Sequence, residues 1–163
     1  MGDADNYYHS EAERFFQEAY AKQAEGELDE AVRLYQKSIE LFPTAEAHTF
    51  LGWAYSIQGN YDEAIKECHR AIELDPEFGN PYNDIGAYLI EKGKFEEAIP
   101  WLEKATVAKR YESYCYPNYN LGRVWERKGD WKRALNYYQS ALKENPEYTL
   151  ARQALGRIHA MMN

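Results

Sequence analysis

AEAHTFLGWAYSIQGNYDEAIKECHRAIELDPEF, residues 45–78, reads as two short amphipathic helices joined at Gly59-Asn60 and stopped at Asp75-Pro76. Laid along the chain, the stretch fits three more times and then half of a fifth. The turn glycines Gly26, Gly59, Gly93 and Gly129 recur in steps of 33, 34 and 36 residues. Five residues after each stands an alanine: Ala31, Ala64, Ala98 and Ala134. Seven residues further on comes a small side chain again, at Ser38, Ala71, Ala105 and Ala141. A third small series lies upstream, at Ala19, Gly52, Gly86, Gly122 and Gly156, and Pro43, Pro76 and Pro146 close three of the units. Independent series in one phase are the mark of a repeat architecture.

Each series has a physical reason. A glycine takes the positive φ at which a helix ends and the chain reverses. Small residues stand where two helices cross closely. The closing prolines cannot continue a helix. Between these points runs a 3.6-residue apolar stripe, as in Ala64, Ile65, Cys68, Ala71 and Ile72.

With those positions in phase, the pattern resembles the tetratricopeptide repeat family over roughly residues 12–163. The resemblance implies an all-α, right-handed superhelix of about four and a half helix-turn-helix repeats. It also implies a concave groove, lined by the first helix of each pair, that binds a peptide or partner protein. The repeats fall at about 12–44, 45–78, 79–114 and 115–148, with a capping helix over 149–163. Residues 10–163 thus read as one solenoid. Ser10-Glu11-Ala12-Glu13 is a capping-box pattern, which leaves residues 1–9 as a flexible tail.

Composition narrows the function classes. Hydrophobic residues make up 45% of the chain and charged residues 28%, as in a helical protein with a wetted surface. There is no run of about 18 apolar residues, so no membrane span is expected. MGDADNYYHS lacks the basic and then apolar segments of a secretory signal, and two cysteines, Cys68 and Cys115, do not make a disulfide framework. The expected location is cytoplasmic. Residues 1–120 hold 11 basic and 23 acidic residues, and residues 121–163 hold 8 and 4, a polarity of −12 against +4. That argues against nucleic acid, which needs a contiguous basic face. It leaves room for an acidic partner segment at the C-terminal end.

The ends and one join depart from the pattern. Where later units carry Leu51, Ile85, Leu121 and Leu155, unit one has Glu18, and where they carry Tyr55, Leu89 and Trp125 it has Lys22. Polar residues there read as an end cap, because no helix pair precedes them. At the other end, the last helix presents Arg152, Gln153, Arg157 and Ala160 outward, as a solubilising cap does. Between units three and four the closing proline is replaced by Arg110, and KRYESYCYPNYN carries four tyrosines. That segment reads as a slightly extended helix with packed tyrosines, or as an aromatic rim.

Helical spacing selects the groove face as positions six, three and two before each upstream small residue, and one, four and five after it. The candidate binding residues are Phe16 and Tyr20 in unit one and Phe50, Trp53 and Ile57 in unit two. Unit three gives Asn83 and Asp84; unit four gives Tyr116, Tyr119, Asn120, Arg123 and Arg127; the last helix adds Gln153 and Arg157. The face grades from aromatic through amide-rich to basic. Aromatics and arginine are common binding anchors, the asparagines can hydrogen-bond a peptide backbone, and Arg123 with Arg127, one turn apart, suits a carboxylate. The competing reading is that Phe16, Tyr20 and Trp53 only fill the inner curve. The Lys/Asn/Arg clamp of chaperone-binding relatives is missing, since the matching positions hold Phe16, Tyr20, Phe50, Asn80 and Asp84.

No catalytic constellation is visible, and no cofactor or metal is expected. His9, His48, His69 and His159 fall at unrelated phases, neither cysteine has a CxxC partner, and there is no phosphate-cradling glycine loop. The expected function is a protein-interaction scaffold. The alternative is a structural subunit that self-associates through its end or convex surfaces.

Overall fold

The computed structural model describes residues 3–162. Its contacts divide the chain into two compact units, Met1–Pro81 and Tyr82–Asn163. Among the described residues nine helices follow in order: α1 (Asp3–Ala24), α2 (Leu28–Leu41), α3 (Ala45–Ile57), α4 (Tyr61–Leu74), α5 (Asn80–Glu91), α6 (Phe95–Val107), α7 (Cys115–Arg127), α8 (Trp131–Glu144) and α9 (Thr149–Met162). The turn glycines all take positive φ, between 74° and 84°.

In the first unit α1 pairs with α2 and α3 with α4. Ala19, Ala31, Leu34, Tyr35, Leu51 and Ala54 form its core. Thr44 caps α3, its hydroxyl accepting the Ala47 amide at 3.1 Å. Crossings are as tight as the small-residue series requires: a Cβ at Gly52 would sit 3.0 Å from the Ala64 carbonyl. The unit also holds a polar chain that runs from buried His48 and Glu67 out to exposed Arg70. His48 Nδ1 on α3 donates to Glu67 Oε2 on α4 at 2.6 Å, and Glu67 Oε1 accepts from Arg70 at 2.6 Å.

The second unit repeats this plan with larger side chains across the crossings. A Cβ at Gly86 would overlap Leu102, and one at Gly122 would overlap the Tyr138 ring. At Gly156 of α9 nothing lies within 4 Å. Ala154 and Ile158 of α9 bury against Ala134 and Tyr138, while Arg152, Gln153, Arg157 and Ala160 are exposed, as the cap reading requires.

Two expectations need correction. Helix α1 begins at Asp3, not Ser10, so residues 3–9 are helical; residues 1 and 2 lie outside the described residues. Extending an existing helix is cheap, and His9 is held edge-on against the Phe42 ring, with centroids 4.8 Å apart. The irregular join is not an extended helix either. Helix α6 stops at Val107, and the extra residues form a packed connection. There Tyr111 is buried beside Ala105 and Ala108, and the Tyr114 hydroxyl donates to the Ala108 carbonyl at 2.6 Å. Tyrosine buries well once its hydroxyl has a partner.

Candidate functional site

The residues selected by spacing fall on two surfaces, one in each unit. In the first unit α1 supplies Phe16 and Tyr20, and α3 supplies Phe50, Trp53 and Ile57. Phe50 is the hub. It meets Phe16 at 5.2 Å, Tyr20 at 5.7 Å and Trp53 at 5.8 Å between ring centroids, each edge-to-face. That geometry sets the positive ring edge on the negative face and contributes about 0.5–1.5 kcal/mol per pair beyond burial. The array is therefore ordered without a ligand. Phe16 and Phe50 are half-buried and form its floor. Tyr20, Trp53 and Ile57 stand above them, 48%, 44% and 49% exposed. Of the three residues named in the inner-fill reading, Phe16 is half-buried, and Tyr20 and Trp53 are exposed. Beneath the array the Tyr35 hydroxyl donates to Gln23 Oε1 at 2.9 Å, and burial pushes the Tyr35 phenol up.

In the second unit the candidate residues bind one another. Asn120 Nδ2 on α7 donates to Asn83 Oδ1 on α5 at 3.0 Å. Asn83 Nδ2 donates to Asp84 Oδ1 at 3.3 Å. Arg123 Nη1 donates to Asn120 Oδ1 at 3.2 Å, and its Nη2 to Glu91 Oε1 at 2.7 Å. Asn83 and Asn120 are buried, and burial pushes the Asp84 carboxyl up to about 7 against the pull of the Asn83 amide. Tyr119 is half-buried between Tyr148 and Tyr138, at 5.2 and 5.6 Å, while Tyr116 is exposed with its ring 5.4 Å from Tyr148.

Of the two arginines expected to share a carboxylate, Arg123 is held by Glu91 and Asn120. Arg127 is exposed and makes no ion pair among the described residues. Both arginines line a cavity of about 680 Å³. On its far side α9 brings Arg157 to Glu126: Nε and Nη2 donate at 3.0 and 2.8 Å, a bidentate pair. The Tyr138 hydroxyl also donates to Glu126, at 2.6 Å. Burial pushes Glu126 up, but the hydrogen bonds from Arg157 and Tyr138 outweigh it and hold the carboxyl below its usual value. Ile90, Phe95 and Trp131 add an apolar wall. The choice of candidates passed over Glu126, although the spacing rule reaches it four residues after Gly122. Trp131 and Phe95 open second helices and lie outside that rule.

Among the described residues no group of His, Cys, Asp and Glu has the spacing to hold a metal ion, and no helix is long and apolar enough to cross a membrane. Family models described as tetratricopeptide repeat match residues 15–45, 45–78, 80–109 and 115–148. No curated protein matches the chain. Among solved structures, PilF of Pseudomonas aeruginosa superposes with a TM-score of 0.88 at 20% identity, over 95% of this chain and 70% of its own. MamA gives 0.73 at 24%, over 88% and 84%. YrrB, described as having an unusual peptide-binding site, gives 0.67 at 22%, over 91% and 76%. These likenesses show the fold, the all-α superhelix of helix-turn-helix repeats.

Proposed function

Because the chain belongs to the tetratricopeptide repeat family, a family of protein-interaction scaffolds, we propose that it takes up a peptide segment of a partner protein on the first-helix faces of its repeats. One observation carries the reading: Tyr20, Trp53 and Ile57 stand half-exposed over an ordered aromatic floor. Water gains when such a patch is covered, and contiguous exposed apolar surface marks contact sites. The array is already ordered, so a partner binds without the cost of arranging it. Cys68 and Cys115, both buried and not joined in a disulfide, accord with a cytoplasmic location.

Selection of displayed random peptides on the full chain, run in parallel on Trp53→Ala, tests this. Peptides enriched by the wild type and lost by a still-folded variant are the expected result. Identical pools would remove Trp53 from the site.

Charge favours a second reading, self-association. Residues 1–81 hold 6 basic and 17 acidic residues, while residues 82–163 hold 13 and 10, a contrast of −11 against +3. Copies joined by that contrast would separate as salt rises. Light scattering at low and high ionic strength decides it: a monomer throughout excludes the reading.

A further inference from the structure

We propose that the cavity of about 680 Å³ in the second unit holds one carboxylate side chain of an acidic peptide segment, with Arg127 as its ionic partner. The proposal names a partner chemistry for the interaction module and rests on that reading.

The charges around the cavity set the ligand. Three arginines and two glutamates line it. Arg157 is neutralised by Glu126, and Arg123 by Glu91. Glu126 keeps its charge, because the hydrogen bonds from Arg157 and Tyr138 hold its carboxyl low. Arg127 alone is left without an ion pair among the described residues, so the site carries one surplus positive charge. A single carboxylate balances it. A phosphate dianion is over-charged for it, and a nucleic-acid backbone needs a row of cations.

The donors also suit a carboxylate. Arg157 engages Glu126 through Nε and Nη2, which leaves its Nη1 hydrogens available on the cavity side chain. The bidentate pair and the Tyr138 hydroxyl fix that guanidinium, so little rotamer freedom is lost on binding. Beside these cations Ile90, Phe95 and Trp131 offer apolar surface, with Trp131 36% exposed. An Asp or Glu flanked by an aliphatic residue matches both halves, the carboxylate on Arg127 and the neighbour on Trp131.

The test is an NMR titration of the full chain with acetyl-Leu-Glu-Leu-amide, followed at the Trp131 indole and the Arg127 and Arg157 Nε–H signals. Acetyl-Leu-Gln-Leu-amide and inorganic phosphate serve as comparison probes. The glutamate peptide should give saturable shifts at all three signals, with the glutamine peptide weaker by about tenfold or more. Arg127→Ala should weaken the glutamate peptide by a similar factor, whereas Lys143→Ala, an exposed cation elsewhere on α8, should leave it unchanged. Equal affinity for the two peptides, no shift at Trp131, or an unchanged Arg127→Ala overturns the proposal. Tighter binding of phosphate than of the glutamate peptide overturns the carboxylate assignment. The titration reads the second unit alone and the Trp53 selection reads the first, so each reading can fail by itself.

Discussion

The two units use one repeat and place polar chemistry on opposite sides of it. In Met1–Pro81 the polar chain of buried His48, buried Glu67 and exposed Arg70 starts between α3 and α4, and the candidate face is aromatic. In Tyr82–Asn163 the polar chain of Asp84, Asn83, Asn120, Arg123 and Glu91 is the candidate face itself. Aromatic rings packed edge-on still leave surface to water, and that surface can be covered by a partner. Amides and ions packed together satisfy one another and leave little unmet. The same spacing therefore yields an open surface in one unit and a largely self-paired one, with a single cation to spare, in the other.

The largest effect that would break this contrast is on stability. Glu67→Ala removes the carboxylate that joins His48 and Arg70 and should cost about 2–3 kcal/mol, because the buried His48 ring nitrogen is left without its hydrogen-bond partner. Asn120→Ala, on the second face, should cost about 1 kcal/mol. Equal losses in urea denaturation would mean the two networks are equivalent. Within the second unit the upstream glycines sharpen the picture. Gly122→Ala drives a methyl into the Tyr138 ring and should lose about 1–3 kcal/mol. Gly156→Ala meets nothing and should gain about 0.5–1 kcal/mol from helix propensity. A loss at both positions would mean that α9 packs on more than the structure shows.

Asp84 supplies the pH-dependent member. Its carboxyl is raised from 3.8 to about 7 by burial, so the folded state binds its proton more tightly than the unfolded state. Stability from this group is fully present below its ordinary value and is lost as pH rises through about 7. Asp84→Asn should therefore match the wild type near pH 3.5, roughly, and melt a few degrees higher at about pH 8.5. An identical difference at both pH values would show that the effect is not titration. The smallest expected change is Arg127→Ala, within ~0.5 kcal/mol of wild type in the same denaturation. A larger loss would show that Arg127 has a structural partner.

The helix pairs were legible because turn glycines and crossing residues are constrained one at a time: α2 and α4 begin two residues after Gly26 and Gly59 and end two residues before Pro43 and Pro76. The start of α1 was not, because a capping box shows where a helix can begin and not where it must. On the site, spacing gave direction but not the pairing between side chains. Asn83 and Asn120 are 37 residues apart in sequence, and only the packing of α5 on α7 makes their mutual hydrogen bond visible. Arg123 lines the cavity, and Glu91, which closes on it, comes from another helix. Trp53 and Ile57 needed no such partner, so periodicity alone was enough to place them at the surface.

As proposed, the aromatic face of the first unit is a docking surface and not a core. The most direct test measures one wild-type-selected peptide against wild type and Trp53→Ala by calorimetry, with thermal unfolding of both proteins alongside. A loss of about thirtyfold or more in affinity with a melting shift of only a few degrees is the predicted result. A large fall in melting temperature with peptide affinity unchanged would contradict it and make Trp53 part of the core.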